Sequence, residues 1–290
     1  MEFGFLPRRL DVVAGDFDIA TIADWRSLRA ELEAHGHVAN GWLFKPRKQG
    51  SPESAGRFEL PTTHEILSAR YGDDTALMQF VVIVLGFLLG LRLLPDGWGH
   101  LHGVAVEPGK CNGFIALDRE IIPCLELAAQ FYVNNQNTRN VKRMQSAISL
   151  IHWSSGQEQY FDTFNYLYMA IDACWAVCSD LHASSIIQLH PRGGRVPHAL
   201  RPAIMQQVLG LRLPRISDPN ETVTAASIRN DLLHEGLVGD MPLGLSIIEP
   251  HCDLEMREFA DKVILALMGV KAGYLATPGG DRSRHMLGLQ

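Results

Sequence analysis

The stretch FDTFNYLYMAIDACWAVC, residues 161–178, decides how the second half of this chain folds. Its apolar side chains recur at alternating intervals of three and four residues, at Phe161, Phe164, Tyr168, Ile171, Trp175 and Cys178. This spacing is typical of an α-helix with one apolar face that packs against other helices. We therefore predict a helix over 157–181 at the centre of a group of packed helices.

Other helical patterns lie on both sides of this segment. The strongest are at 123–133, 139–153 and 254–274. A further helix is expected to begin at Asp218 as N-cap, with Pro219 in its first turn and Glu221 three residues after the cap. Gly236 suits its left-handed end. We predict a mainly α protein with an antiparallel helical bundle over 139–275 and a flexible tail over 276–290.

The first half, residues 1–138, has weaker signals and no assignable role. We expect a mixed, mostly helical region with few strands. The predicted elements are a strand within 1–20, a surface helix at 22–34, an exposed basic loop at 45–56, a helix start at 63–69, and a strand or connector at 115–122.

One apolar segment, at 77–94, raises the question of a membrane. Residues 80–91 are all apolar or glycine, but a spanning helix needs about 20 such residues. Asp74 and Gln79 limit the run on one side and Arg92 limits it on the other. The pattern favours a buried helix over membrane insertion, with Gly86 and Gly90 allowing close packing.

Composition narrows the class of protein. The chain has 290 residues, 47% of them hydrophobic, and a net charge of −6, which argues against a general DNA-coating protein. Its five cysteines form no C-x-x-C pair, and no signal peptide is visible, so we expect a reducing cytoplasm. His100 and His102 with Cys111 lack a second ligand pair for zinc, and no cofactor motif is present. We predict neither metal nor cofactor.

The segment RNDLLH, residues 229–234, is the main candidate for chemistry. Arg229 offers a permanent positive fork for phosphate oxygens, and His234 can exchange protons near neutral pH. Five helical residues turn by about 140°, so the two side chains flank a phosphate rather than share a face. Asn230 lies one turn before His234 and could orient it or contact a nucleotide. The alternative is that His234 only caps its helix and Arg229 forms a structural salt bridge.

In this context the sequence resembles the HEPN superfamily of small helical-bundle domains. The matching parts are SIRNDLLHEGL, residues 227–237, and FNYLYMAIDACWAV, residues 164–177, in which Asp172 corresponds to an acidic residue often found in the family's earlier core helix. The resemblance covers about 139–274. The first half is loosely similar to the N-terminal regions of bacterial proteins of the ApeA-like HEPN type.

This resemblance implies a metal-independent endoribonuclease, often in defence or toxin–antitoxin systems, whose two copies form a homodimer with facing motifs. His234 would be a general acid or base, Arg229 would stabilise charge on the phosphate, and Asn230 would position one of the two. Asp172 would orient Arg229 or His234, or would only hold the bundle together. Other members bind RNA or nucleotides without catalysis, and an antitoxin or regulatory protein is a possible partner.

A basic segment is compatible with RNA binding. Residues 181–217 contain no acidic residue. The segment also holds His182, His190 and His198. Its arginines, which could follow a phosphate backbone or could simply be solvated, are Arg192, Arg195, Arg201, Arg212 and Arg215.

Overall fold

The computed structural model describes residues 1–34, 38–44, 61–95, 103–157, 159–190, 196–221, 223–238, 241–242, 252–279 and 284–290. In this part of the chain the protein is mainly helical, with nine α-helices and small sheets. The chain divides into two compact units, Met1–Asn134 and Asn135–Gln290. The boundary predicted from the sequence, after residue 138, lies close to this division.

The N-terminal unit contains more strands than the sequence predicted. Its helices are α1 (Trp25–Ala34), α2 (Thr75–Leu89) and α3 (Asp118–Asn135). Its strands are β1 (Glu2–Gly4), β2 (Val12–Ala14), β3 (Phe17–Thr21), β4 (Val38–Ala39), β5 (Trp42–Phe44), β6 (His64–Leu67), β7 (Leu94–Pro95), β8 (Gly103–Ala105) and β9 (Phe114–Ile115). Each strand has five residues or fewer, which is too short for alternation of apolar and polar residues to identify it.

A five-stranded antiparallel sheet organises this unit, in the order β2-β3-β6-β1-β7. Strand β6 was wrongly predicted as a helix start. His64 on β6 faces both Phe3 on β1 and Thr21 on β3 across the sheet, so non-local pairing fixes this segment as a strand. A second antiparallel sheet has the order β4-β5-β8. The basic loop predicted at 45–56 lies outside the described residues.

Helix α2 is the apolar segment, and it is buried over most of its length. The Asp74 carboxylate accepts a hydrogen bond from the Leu77 N–H at 2.9 Å and so caps its start. The last helical residue is Leu89, five residues earlier than predicted, and Gly90 with φ +62 is the C-cap. A Cβ on Gly86 would lie 2.8 Å from the Leu91 carbonyl oxygen, so the chain reverses tightly over this glycine. None of the described helices is long and apolar enough to cross a membrane.

The C-terminal unit contains the other six helices. They are α4 (Asn140–Ser155), α5 (Tyr160–Leu181), α6 (Ala183–Leu189), α7 (Arg201–Leu209), α8 (Ala225–His234) and α9 (Cys252–Leu267). Single 3-10 turns occur at His198–Leu200, Arg215–Ser217 and Gly273–Ala276. The short strands are β10 (Leu237–Val238), β11 (Met241–Pro242) and β12 (His285–Met286).

Helix α5 lies at the centre of this unit, as its apolar pattern predicted. It packs along α4 and α9 and also contacts α6, α7 and α8. Phe164 and Cys178 on the predicted apolar face are almost fully buried. Leu167 and Val177, outside that face, are also buried, which means that α5 is covered on more than one side. All five cysteines of the chain are buried, and none of them forms a disulfide.

Helix α8 begins later than the sequence suggested. Its N-cap is Thr224, whose side chain accepts from the Ser227 N–H at 3.1 Å, while the Ser227 hydroxyl accepts from the Thr224 N–H at 3.0 Å. Asp218 instead accepts from the N–H and the side chain of Asn220, which makes a local turn. The predicted end is confirmed, since Gly236 has φ +68 just after the last helical residues.

The end of the chain differs from the predicted flexible tail. Residues 284–290 run back along the segment after α9, and Leu287 is completely buried. The backbone N–H of Tyr274 donates to the Leu287 carbonyl at 3.1 Å, and that of Gln290 donates to the Lys271 carbonyl at 3.0 Å. These residues therefore belong to the folded C-terminal unit.

Candidate functional site

The RNDLLH segment forms the second half of α8, and its three candidate side chains reach the surface to different degrees. Arg229 is half-buried, whereas Asn230 and His234 are exposed. The Arg229 guanidinium lies over the Tyr168 ring of α5, 6.0 Å from its centroid, and its Nη1 donates to the Asn230 Oδ1 at 3.1 Å. Asn230 therefore holds Arg229, and the predicted contact of Asn230 with the imidazole of His234 is not formed.

The charge of Arg229 has no acidic partner in the described part of the chain. No described carboxylate lies within 4.0 Å of its guanidinium, so the structural salt bridge considered as an alternative is not formed there. The Arg229 guanidinium instead forms a cation–π contact with the aromatic face of Tyr168. A phosphate could approach this guanidinium without displacing a carboxylate.

His234 lies in the last turn of α8 with an exposed side chain. No side chain of the described residues forms a hydrogen bond with it. The ring can therefore meet a substrate, but the contacts seen here do not fix its orientation.

Asp172 has different partners from those expected. One carboxylate oxygen, Oδ1, accepts from Arg201 Nη1 at 2.7 Å, and the other, Oδ2, lies 3.3 Å from His198 Nδ1. It was predicted to orient Arg229 or His234, and it forms an ion pair with neither. The observed pairing agrees with the structural alternative, in which the acid holds helices together. Here it links α5 to the start of α7.

Arg201 is a buried residue, which corrects its assignment to a nucleic-acid surface. It is only 8% exposed, and its guanidinium lies 5.8 Å from the centroid of the Trp175 ring. A guanidinium that is paired with Asp172 and stacked on Trp175 is not available to follow a phosphate backbone. A run of sequence without acidic residues does not distinguish surface arginines from those whose partner lies elsewhere in the chain.

A pocket opens beside this pair and reaches towards α8. Its polar lining includes Tyr168, Asp172, His198, Arg201 and Ser217. Two polar atoms in it, Ser217 Oγ and Arg201 Nε, are buried and have no hydrogen-bond partner within the described residues. The pocket has room for about one water molecule.

Tyr168 connects the two groups of residues. It lines the pocket that contains Asp172, and its ring lies under Arg229. Burial raises the pKa of the Tyr168 phenol, with a further increase from the Asp172 carboxylate and opposite contributions from Arg229 and Arg201. The charges of Asp172, Arg229 and Arg201 therefore all influence the pKa of the Tyr168 phenol.

The other predicted basic residues do not form one surface in the described structure. Arg192 and Arg195 lie outside the described residues. Arg212 and Arg215 are exposed and line a second pocket. That pocket also contains Lys262 and three carboxylates, and its positive charge is offset locally by Asp218, Glu255 and Glu258.

Sequence reasoning had noted His198 only as part of the basic segment. Its partner Asp172 lies 26 positions earlier in the chain, and nothing in the local sequence pattern connects the two residues. A spacing signal does exist between His198 and Arg201, which are three apart and meet at 3.0 Å between Nδ1 and Nη1.

The described residues contain no group of three His, Cys, Asp or Glu side chains arranged to hold a metal ion. His100 and His102 lie outside the described part of the chain, and Cys111 is buried. Comparison with protein-family models, with curated proteins and with solved structures found no significant match.

Proposed function

We propose that the C-terminal unit is a HEPN-type antiparallel helical bundle that acts as a metal-independent endoribonuclease. The observation that carries this proposal is the state of Arg229 and His234. A guanidinium without a carboxylate partner in the described structure and an exposed histidine occupy one end of α8. This combination suits an anionic substrate that undergoes proton transfer.

In the proposed reaction, a ribose 2′-hydroxyl attacks the adjacent phosphorus and the bond to the 5′-oxygen breaks. Arg229 stabilises the negative charge that develops on the phosphate oxygens. His234, exposed in the last turn of α8, is the general acid or base: it transfers one of the two protons, from the 2′-hydroxyl or to the leaving 5′-oxygen, and water carries the other. Asn230 contributes by holding Arg229, since its Oδ1 accepts from that guanidinium.

We propose that the protein acts in the cytoplasm as a homodimer, with a role in bacterial defence or as a toxin. Leu233, within the motif on α8, is 57% exposed, and Met169, next to Tyr168 on α5, is 54% exposed. Large apolar side chains at these positions suit a protein contact. A second copy would cover them and bring two motifs together, and an antitoxin or regulatory protein would block the site by covering the same residues.

A second candidate is a protein that binds RNA or nucleotides without cleaving them. The observation that favours it is the imidazole of His234, because no hydrogen bond within the described residues orients it. General acid–base catalysis depends on a proton donor held within hydrogen-bond reach of its target. Arg229 alone would be sufficient for binding a phosphate.

The deciding experiment compares wild type with His234→Ala on a labelled single-stranded RNA. Cleavage should fall by about 10²–10⁴-fold, the usual contribution of a positioned acid or base. His182→Ala is the matched control, since His182 lies outside the motif on the same unit, and it should cleave at the wild-type rate. Unchanged cleavage by His234→Ala contradicts the proposal.

Binding by the wild type without any product, even after long incubation, supports the second candidate. Arg229→Ala adds a separate test of the phosphate contact, because it should weaken RNA binding in both cases. If Arg229→Ala lowers only the stability of the dimer and leaves RNA affinity unchanged, the motif has a structural role.

A further inference from the structure

The second pocket of the C-terminal unit, which Arg212 and Arg215 line, is separate from the RNDLLH segment, since no residue of 229–234 lines it. Its volume is about 260 Å³, enough for roughly eight water molecules at about 30 Å³ each. Pockets that hold small molecules start at about 300 Å³, so this cavity suits a ligand at the small end of that range. Its walls come from residues 212–215, from Asp218, from α9 and from Gly279.

Charged side chains make up most of the wall of this cavity. Three of them are cationic and three are carboxylates, so the wall as a whole is close to neutral. Arg212 and Arg215 are exposed, whereas Glu258 and Lys262 are 4% and 2% exposed. The two arginines therefore lie at the mouth of the cavity and the two buried residues at its inner wall. A ligand that enters meets positive charge first and a carboxylate further in.

Two of these charged groups are already used by the fold. Lys262 Nζ donates to the Thr277 carbonyl at 2.7 Å and lies 5.0 Å from the centroid of the Tyr274 ring. The charge of Lys262 is therefore directed towards the segment after α9. Asp218 Oδ1 accepts from the backbone N–H and from the side chain of Asn220. Neither group depends on a ligand for its partner.

Two other groups in the wall are available to a ligand. Within the described residues, Arg212 forms no hydrogen bond and no ion pair. Glu255 Oε2 accepts from the Ile216 N–H at 3.0 Å, which joins α9 to the 3-10 turn Arg215–Ser217. The other oxygen of Glu255, Oε1, forms no hydrogen bond with a described residue. The cavity thus offers one guanidinium and one carboxylate oxygen.

Gly279 leaves room for a carboxylate at the inner wall. A Cβ on Gly279 would lie 2.7 Å from Glu258 Oε2, so the backbone passes this oxygen with no side chain between them. A carboxylate has about four acceptor positions. Glu258 can therefore accept from a donor in the cavity in addition to its present contacts.

We propose that this cavity binds a small zwitterion, a molecule with one carboxylate or phosphate group and one ammonium group. The anionic group meets the Arg212 guanidinium, whose fork matches two oxygens of a carboxylate or phosphate. The ammonium group donates to Glu255 Oε1 and to Glu258. A ligand with a single charge would face groups of like sign on this wall, whereas a zwitterion is matched at both ends. The site does not depend on the proposed ribonuclease activity.

Isothermal titration calorimetry of the full chain with glycine, β-alanine, γ-aminobutyrate and phosphoethanolamine tests this proposal. The three amino acids differ in the distance between their charges, and we expect saturable binding of at least one of the four compounds. Tighter binding of phosphoethanolamine assigns the anionic group to a phosphate, and tighter binding of an amino acid assigns it to a carboxylate. Butylamine and butyrate carry one charge each and should bind at least about tenfold more weakly.

Two substitutions test the two ends of the ligand. Arg212→Gln removes the exposed cation and should weaken binding of the best compound by about 10- to 100-fold. Glu255→Gln should have an effect of similar size, and it keeps an oxygen that can accept from the Ile216 N–H. The matched controls are Arg139→Gln on the surface and Asp253→Asn on α9. Both lie outside the cavity and should leave the affinity unchanged.

Several results would overturn this inference. They are a lack of saturable binding of all four compounds, equal binding of butylamine or butyrate, and unchanged affinity in either Arg212→Gln or Glu255→Gln. Circular dichroism checks that each variant is folded. Gly279→Val is a further test, because its side chain would displace the Glu258 carboxylate and should abolish binding. None of these results bears on RNA cleavage, since no residue of the motif lines the cavity.

Discussion

The two polar groups on either side of Tyr168 differ in how they are held. Arg229 and His234 come from one short segment and reach the surface, with few contacts to the rest of the unit. Asp172 and Arg201 come from distant segments and are locked together at 2.7 Å beside a buried tryptophan. The first group has the properties of a site that meets a ligand. The second has the properties of a support that keeps the helices in register.

This difference separates effects on stability from effects on activity. Removing an exposed, weakly held side chain changes what the surface can bind and costs little stability. Removing one member of a buried ion pair leaves the other charge without compensation. His198 lies between these cases, since it is partly exposed and touches the buried pair.

The largest stability effect is expected from breaking the pair of the half-buried Asp172 with the buried Arg201. Asp172→Ala leaves the buried Arg201 guanidinium without its carboxylate, and we expect a loss of about 2 kcal/mol in the free energy of unfolding, less than for a fully buried pair. Urea unfolding followed by circular dichroism measures this. Asp180→Ala on the same helix is the control, because its salt bridge with Arg143 is exposed and should contribute below about 1 kcal/mol. Equal losses of stability from the two substitutions would contradict the distinction between an ion pair that stabilises the fold and an exposed pair that contributes little.

In contrast to the exposed His234, one histidine of the N-terminal unit is fully buried. His64 is 0% exposed and its ring nitrogens contact the hydroxyls of Thr21 and Thr63 at 3.1 and 3.0 Å. Burial lowers its pKa from 6.5 to about 4. The unfolded chain therefore takes up a proton below about pH 6.5 that the folded chain refuses until about pH 4, and stability falls as the pH decreases through this window.

The expected loss is about 2 kcal/mol for this one residue between pH 7 and pH 4.5. Other groups titrate in the same range, so the measurement compares wild type with His64→Gln by urea unfolding at both pH values. The variant should lose less stability on acidification than the wild type does. An equal loss of stability on acidification in both proteins would show that burial does not lower the pKa of His64.

The smallest effect tests where the motif helix begins. Thr224→Ala removes the cap of α8 and should cost about 1 kcal/mol. Asp218→Ala removes only a local turn contact and should cost about half of that or less. A larger loss at Asp218 than at Thr224, again measured with urea, would move the start of the helix back to the position that the sequence suggests.

The parts of the fold that follow from local pattern were predictable from the sequence. Helix α5, of 22 residues, has an apolar period sustained from Phe161 to Cys178, and its predicted extent differs from the observed one only at the first residues. Gly236 was expected to end the motif helix, and it adopts the required positive φ. In both cases the deciding interactions are between residues close in sequence.

The parts that depend on distant residues were missed. Strand β6 forms because β1 and β3 lie on both sides of it, and its four residues carry no signal of their own. Asp172 meets Arg201 and His198 across a segment that contains a pair of glycines, and its partners could not be chosen from spacing. Asp218 matched an N-cap signature, yet its carboxylate is used in a turn with Asn220.

Helix α2 has a consequence for how these experiments must be done. Its segment at residues 80–89 combines β-branched and aromatic side chains with no charge and no proline, and the folded protein hides most of it. Once exposed by heat, such a sequence associates with its copies faster than it refolds. Thermal denaturation should therefore be irreversible and depend on scan rate and protein concentration. Free energies of unfolding for this protein should come from urea titrations at low concentration, in which the unfolded chain stays dispersed.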